Sequence, residues 1–107
     1  MAATVHITLA RSGRDTRTEI ARPARPVHDS VPIASDEMTA SGTSAKSTIV
    51  TTDTAAFWSV TVTGGNILAK FGSDPTAAAG EGWLLLDGQT RDFGVSAVGE
   101  TIAIKTA

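Results

Sequence analysis

Residues 57–71 read FWSVTVTGGNILAKF, and this stretch decides the fold of the 107-residue chain. Apolar and polar residues alternate through 57–63, which is the period of a half-buried β-strand. A second apolar segment follows at 67–71. Between them stands Gly64-Gly65, and two glycines can both adopt positive φ in a two-residue hairpin turn. The stretch therefore predicts an antiparallel hairpin with Gly64-Gly65 at its tip.

The alternation of short apolar segments and glycine turns continues downstream. Trp83-Leu84-Leu85-Leu86 is a continuous apolar run of strand length, which predicts a strand buried on both faces. Asp87-Gly88 and Val98-Gly99-Glu100 are turn signals. Further strands are predicted at 91–95 and 101–105.

Two more segments complete the prediction of local structure. Residues 47–52 (STIVTT) predict a strand, because threonine and β-branched residues suit a pleated sheet. Residues 74–79 could form one helical turn, with Asp74 as its cap and Pro75 at its first position. Several short strands joined by tight turns predict an all-β fold, a small antiparallel β-sandwich or barrel of jelly-roll type.

The first part of the chain is predicted to be organised differently. Residues 1–45 are interpreted as an extended N-terminal arm with a short strand near 4–9, and residues 46–107 as the β-sandwich or barrel domain. Pro23, Pro26 and Pro32 favour extended backbone within the arm. The alternating segment Val5–Leu9 could add a strand to a neighbouring subunit, or it could close the sheet of its own subunit.

Charge is distributed unevenly between these two parts. Residues 1–28 carry five arginines and two acids, a net of +3, whereas residues 29–107 carry four bases and nine acids, a net of −5. A basic arm on an acidic body indicates an arm that docks on a charged partner, although it could simply be solvated. Guanidinium groups suit protein carboxylates as well as phosphates. The candidate partner-binding arginines are Arg11, Arg14, Arg17, Arg22 and Arg25.

No catalytic, cofactor or metal site is predicted. The chain has no cysteine and two histidines, His6 and His28, which stand in no zinc-binding pattern. A serine nucleophile would need a base within hydrogen-bonding reach, and both histidines lie on the arm. Acidic residues at 74, 81, 87 and 92 are interpreted as solvated turn residues. The chain is therefore not expected to be an enzyme or to bind a cofactor.

Association with other proteins is expected instead. A small body without disulfide or metal staples is commonly stabilised by oligomerisation, so self-assembly is predicted. Trp83, beside the glycine-rich loop 80–82, is a candidate partner-binding residue and could serve as a stacking platform for a carbohydrate. No apolar run approaches the length of a membrane helix, so no membrane partner is expected.

From Trp58 to Ala107 the chain resembles small structural proteins of tailed bacteriophages. The motifs that carry the resemblance are an aromatic-glycine strand end, a Pro-Thr-Ala loop, a leucine followed by a glycine turn, an aromatic strand and a final Gly-Glu-Thr-Ile-Ala-Ile strand. They stand here at Phe71-Gly72, Pro75–Ala77, Leu86–Gly88, Phe93 and Gly99–Ile104. Residues 41–47 are also similar to this pattern.

The resemblance implies a bacteriophage virion structural protein. The role expected first is a capsid decoration or cement protein that binds the major capsid protein or other virion proteins, as a homo-oligomer in which a trimer is favoured. A head–tail connector, collar or tail-fibre component, or a carbohydrate- or receptor-binding module, is the alternative. The expected location is the capsid surface or head–tail region, after assembly in the host cytoplasm. Nucleic acid is not the expected partner, although the residues alone leave open whether the arm meets protein or packaged nucleic acid.

Overall fold

The structure is a computed structural model that describes residues 2–13, 27–28 and 30–107. These residues form β-strands and connecting loops and contain no helix, so the helical turn predicted at 74–79 is wrong. The strands are β1 (Thr4–Gly13), β2 (Val27–His28), β3 (Ala34–Thr39), β4 (Ala45–Lys46), β5 (Ala56–Thr63), β6 (Ile67–Gly72), β7 (Trp83–Leu85), β8 (Thr90–Gly94) and β9 (Thr101–Thr106).

The strands are arranged in two antiparallel sheets. Sheet I has β1 at its centre, with β3 and the short β2 along one side of it and β5 followed by β8 on the other. Sheet II has the order β4-β9-β6-β7. The pairs β6–β7, β5–β8 and β4–β9 are nested around loop 73–82, as in a two-stranded ribbon rolled into a jelly roll. The predicted fold class, a small antiparallel sandwich, is confirmed.

The predicted Gly64-Gly65 hairpin is wrong, although both of its strands exist. β5 pairs with β1 and β8 in sheet I, while β6 pairs with β7 and β9 in sheet II. The link therefore crosses from one sheet to the other, with Gly64 at φ 89°. Hydrogen bonds attach this link to the loop that connects β7 with β8, which also crosses between the sheets. The Gly64 amide donates to Asp87 Oδ1 and the Asp87 amide donates to Asn66 Oδ1, both at 2.9 Å.

Strand β7 is an edge strand, so the prediction that residues 83–86 are buried on both faces is wrong. Leu85 alone is fully buried, whereas Trp83, Leu84 and Leu86 are 46%, 52% and 49% exposed. A continuous apolar run has the same sequence signature in a central strand and in a strand that carries an exposed apolar surface. The run therefore does not reveal which of these two positions β7 occupies.

Residues 47–52 run beside the start of β9 without forming a strand. The Ser47 amide donates to the Ile102 carbonyl at 2.8 Å, and the Thr51 amide donates to the Glu100 carbonyl at 2.9 Å. Hydroxyl groups take up other polar partners here, as where Thr101 Oγ1 donates to the Ile49 carbonyl at 2.7 Å. Such side-chain bonds compete with a regular ladder, which explains why the predicted strand is absent.

The N-terminal strand belongs to the core of its own subunit. Val5, Ile7 and Leu9 are buried, and they lie opposite Val62, Val60 and Trp58 of β5. Of the two alternatives for this strand, the structure shows the one in which it completes its own sheet. The predicted boundary between residues 45 and 46 falls inside the short β4, and strands from both sides of it meet in sheet I, where β1 pairs with β3 and with β5. The part of the predicted arm at 14–26 lies outside the described residues.

Loop 73–82 is tied to the outer side of sheet II beside β4. The Ala77 amide donates to Ser44 Oγ at 2.9 Å, and Lys46 Nζ forms an ion pair with the Asp74 carboxylate. Lys46 holds the pKa of the exposed Asp74 below its usual value, first through their hydrogen bond and then through charge attraction. The Lys46–Asp74 ion pair is therefore present at neutral pH and is lost only when acid protonates Asp74.

Candidate functional site

An open groove of about 450 Å³ lies where the two sheets end in their edge strands β7 and β8. It exists because β7 is short: it pairs with Ile67–Ala69 of β6 and leaves Lys70 and Phe71 uncovered. We call this the edge groove. Its lining includes Lys70, Phe71, Trp83, Asp92, Phe93 and Glu100.

Aromatic rings connect the core to this groove. Trp58 in the core lies 5.8 Å from Phe71, Phe71 lies 4.9 Å from Phe93, and Phe93 lies 5.4 Å from Trp83, measured between ring centroids. The rings are tilted by 44–49°, within the geometry in which aromatic pairs attract each other. The half-exposed Trp83 is therefore held in place by its contact with Phe93.

Arg91 covers part of the aromatic wall. Its guanidinium carbon lies 5.0 Å from the Trp83 ring centroid and 5.4 Å from that of Phe93, which is cation–π distance. The register of β8 with β5 places Arg91 opposite Val60, and therefore on the side of sheet I that faces sheet II. An inward-pointing charge at an edge strand also discourages uncontrolled strand pairing.

Glu100 supplies a buried carboxylate to the lining of the groove. Its Oε1 accepts a 2.9 Å hydrogen bond from Trp58 Nε1, and its Oε2 accepts one of 3.2 Å from the Ser96 amide. Its own amide donates to Thr51 Oγ1 at 2.9 Å. Sequence reasoning assigned Glu100 to a turn and missed this role, because Trp58 is 42 residues away.

The rim of the groove is polar. Lys70 Nζ lies 3.6 Å from Glu81 Oε1, and both side chains are partly exposed. Asp92 of β8 also lines the groove, and its register opposite Ser59 places its side chain on the outer face of sheet I. The groove thus combines aromatic surface with a small number of hydrogen-bonding groups, which is the usual composition of a small-molecule site.

The predicted partner-binding residues fall in two separate places. Trp83 lines the edge groove, whereas Arg11 lies on β1 opposite Ala56 and forms a 3.0 Å ion pair with exposed Asp53. Arg14, Arg17, Arg22 and Arg25 lie outside the described residues. Gly13 pairs with Val27, so the two ends of segment 14–26 are held side by side at the end of sheet I. We call 14–26 the arginine segment.

Gly82 fixes the backbone that presents Trp83, and replacing it should disturb the groove. Gly82 has φ 75°, and a Cβ atom there would collide with the Ala69 carbonyl oxygen. Gly80 has a similar φ of 81° but open space around it. We expect Gly80→Ala to cost about 1–2 kcal/mol of unfolding free energy, and Gly82→Ala about 3 kcal/mol or more because the collision adds to the strain.

Thermal unfolding and the emission of Trp83 test this difference. Gly82→Ala should shift the emission of Trp83, whereas Gly80→Ala should leave it as in the wild type. Equal effects of the two substitutions on both readouts would show that the close approach to Ala69 is unimportant.

Within residues 2–13, 27–28 and 30–107, no group of three or more His, Asp or Glu side chains is placed to hold a metal ion. The same residues include no helix that could cross a membrane. No family model matches the chain, and neither a curated protein nor a solved structure matches it.

Proposed function

We propose that this protein is a structural component of a tailed-bacteriophage virion, and specifically a capsid decoration or cement protein. The observation that carries the proposal is the point at which the arginine segment is inserted, between the paired residues Gly13 and Val27. The segment holds four arginines and two acids, a net of +2, while the remainder of the chain has a net charge of −4. A short basic insertion on an acidic sandwich suits a protein that orients itself on an acidic surface.

The end of the sandwich from which this segment departs also carries apolar side chains. Val31, Val50 and Val98 are exposed there. The chain segments that carry Val50 and Val98 lie side by side, because the Gly99 amide donates to the Thr51 carbonyl at 2.8 Å. Apolar contacts of this kind would supply affinity, and the neighbouring arginines would supply orientation through bidentate bonds to carboxylates.

The partner proposed is the major capsid protein or another virion protein. Carboxylates on its surface are the chemistry that the arginines fit, and the segment contains no aromatic residue on which a nucleic-acid base could stack. The location that follows is the capsid surface, with the head–tail region as the alternative. That the chain is not an enzyme stays a prediction.

Composition of purified virions tests the proposed role. We expect mass spectrometry of particles whose genome encodes this chain to detect it in a fixed, high ratio to the major capsid protein. Detection in a few copies per particle would favour a connector, collar or tail-fibre role. Its complete absence from particles would overturn the proposal.

Self-association is proposed together with this role, with a trimer favoured. We expect the mass of the purified protein, measured by light scattering, to be that of a trimer at micromolar concentration. The number of subunits should stay the same when the arginine segment is replaced by a short turn, if assembly resides in the sandwich. A monomer at all concentrations would contradict the prediction.

A further inference from the structure

The edge groove has the features of a ligand site that the proposed capsid role does not use. It lies between β7 and β8, whereas the arginine segment leaves from β1 and β2. Its volume of about 450 Å³ falls within the range of roughly 300–1,000 Å³ typical of small-molecule sites. A concave site of this size fits a small ligand better than the flat surface of a protein partner.

We infer that the edge groove binds a neutral oligosaccharide, with Trp83 as its stacking platform. Trp83 is 46% exposed although its ring contacts both Phe93 and the guanidinium of Arg91, so it is accessible and also fixed in orientation. The C–H faces of a sugar ring are apolar and pack on the face of an indole. An aromatic ring that is already ordered loses little side-chain entropy on binding.

Hydrogen-bonding groups surround this platform. Glu100 lines the groove with a carboxylate fixed by Trp58 and by the Ser96 amide. A carboxylate has about four acceptor positions, so Glu100 can still accept bonds from sugar hydroxyl groups. Lys70 at the rim, which is partly exposed and lies 3.6 Å from Glu81, offers a further donor.

The charges around the groove indicate that the sugar is neutral. The charged side chains in the groove or at its rim are Lys70, Arg91, Glu81 and Glu100, two positive and two negative, so the charges are balanced. A strongly charged ligand would be repelled by one pair while attracted by the other. A polyhydroxylated ligand without charge can instead use donors and acceptors together.

Tryptophan fluorescence can test this inference because the chain has two tryptophans with opposite exposure. Trp58 is fully buried and Trp83 is half exposed, so a soluble quencher such as iodide reaches Trp83 alone. A printed array of neutral glycans would be screened first. Titrations with cellotriose, maltotriose, chitotriose and xylotriose would follow. We expect at least one array member or trisaccharide to protect Trp83 from iodide in a saturable manner.

Variants examined by calorimetry identify the platform. Trp83→Ala should weaken binding by about tenfold or more. Leu84→Ala should leave binding unchanged, because Leu84 is similarly exposed but faces outward beside Leu68. Absence of saturable binding to every glycan tested would overturn the inference, as would a folded Trp83→Ala variant that binds like the wild type. The protection assay needs no variant, and neither result depends on whether the protein binds capsids.

Discussion

Replacing the arginine segment by Asn-Gly is expected to reduce capsid binding by up to about a thousandfold and to leave the sandwich folded. Gly13 and Val27 lie directly opposite each other in an antiparallel pair, and a two-residue Asn-Gly turn closes such a pair. Each exposed arginine–carboxylate pair contributes up to about 1 kcal/mol. Four arginines therefore account for at most about 4 kcal/mol, or up to roughly a thousandfold in affinity.

The design of this deletion follows from the position of β1. Removing residues 1–30 would also remove β1, whose buried Val5, Ile7 and Leu9 form the centre of sheet I. Loss of binding after that truncation would report unfolding. The shorter replacement keeps β1 and its partners, and thermal unfolding within a few degrees of the wild type would verify that the sandwich is intact.

A charge variant separates electrostatics from the length of the segment. Changing Arg14, Arg17, Arg22 and Arg25 to glutamine should also weaken binding, and it should flatten its dependence on salt. Arg11→Gln is the matched control, since Arg11 pairs with Asp53 on the body. Occupancy can be measured on particles from which the protein has been stripped. If the glutamine variant occupied the particles as fully as the wild type, the arginines would not contribute to capsid binding.

Sequence patterns predicted where the strands of this fold lie better than they predicted which strands pair with each other. The alternation in 57–63 correctly predicted which side chains of β5 face the core. It could not show that β6 lies in the other sheet, because a period of two specifies a face and carries no information about pairing. A glycine pair allows a tight turn within one sheet and a crossing between sheets equally well. The Gly64-Gly65 link was therefore misassigned although its flexibility was recognised.

The candidate site was predicted in part for a similar reason. Trp83 was singled out from its residue type and its glycine-rich neighbourhood, both of which are local. The role of Glu100 depends on Trp58, 42 residues away in the sequence, and the role of Arg91 depends on Trp83, which lies in the other sheet. The basic composition of residues 14–26 was evident from the sequence, whereas their insertion between two paired strands became apparent from the register of Gly13 with Val27.

The two tryptophans should differ sharply when each is replaced by alanine. Trp58 is fully buried, contacts Phe71 and donates to Glu100. Its removal should cost about 3–5 kcal/mol, which lowers the melting temperature by more than about 10 °C in a domain of this size. Trp83→Ala should cost only about 1–2 kcal/mol, because about half of the side chain is already in water and its losses are the contacts with Phe93 and Arg91.

The bond between Trp58 and Glu100 can be separated from the packing of the ring by a double-mutant cycle. Trp58→Phe keeps an aromatic ring but removes the donor, and Glu100→Gln keeps the shape but removes the charge. A hydrogen bond to a charged group contributes about 1.5–3 kcal/mol. The double variant should therefore lose less unfolding free energy than the sum of the two single variants, by about 1 kcal/mol or more. Strict additivity in denaturant unfolding would assign the stability of this region to packing alone. A coupling of the expected size would mean that the bond which orients the Glu100 carboxylate in the edge groove also holds Trp58 in the core, so that the groove and the core are stabilised by the same contact.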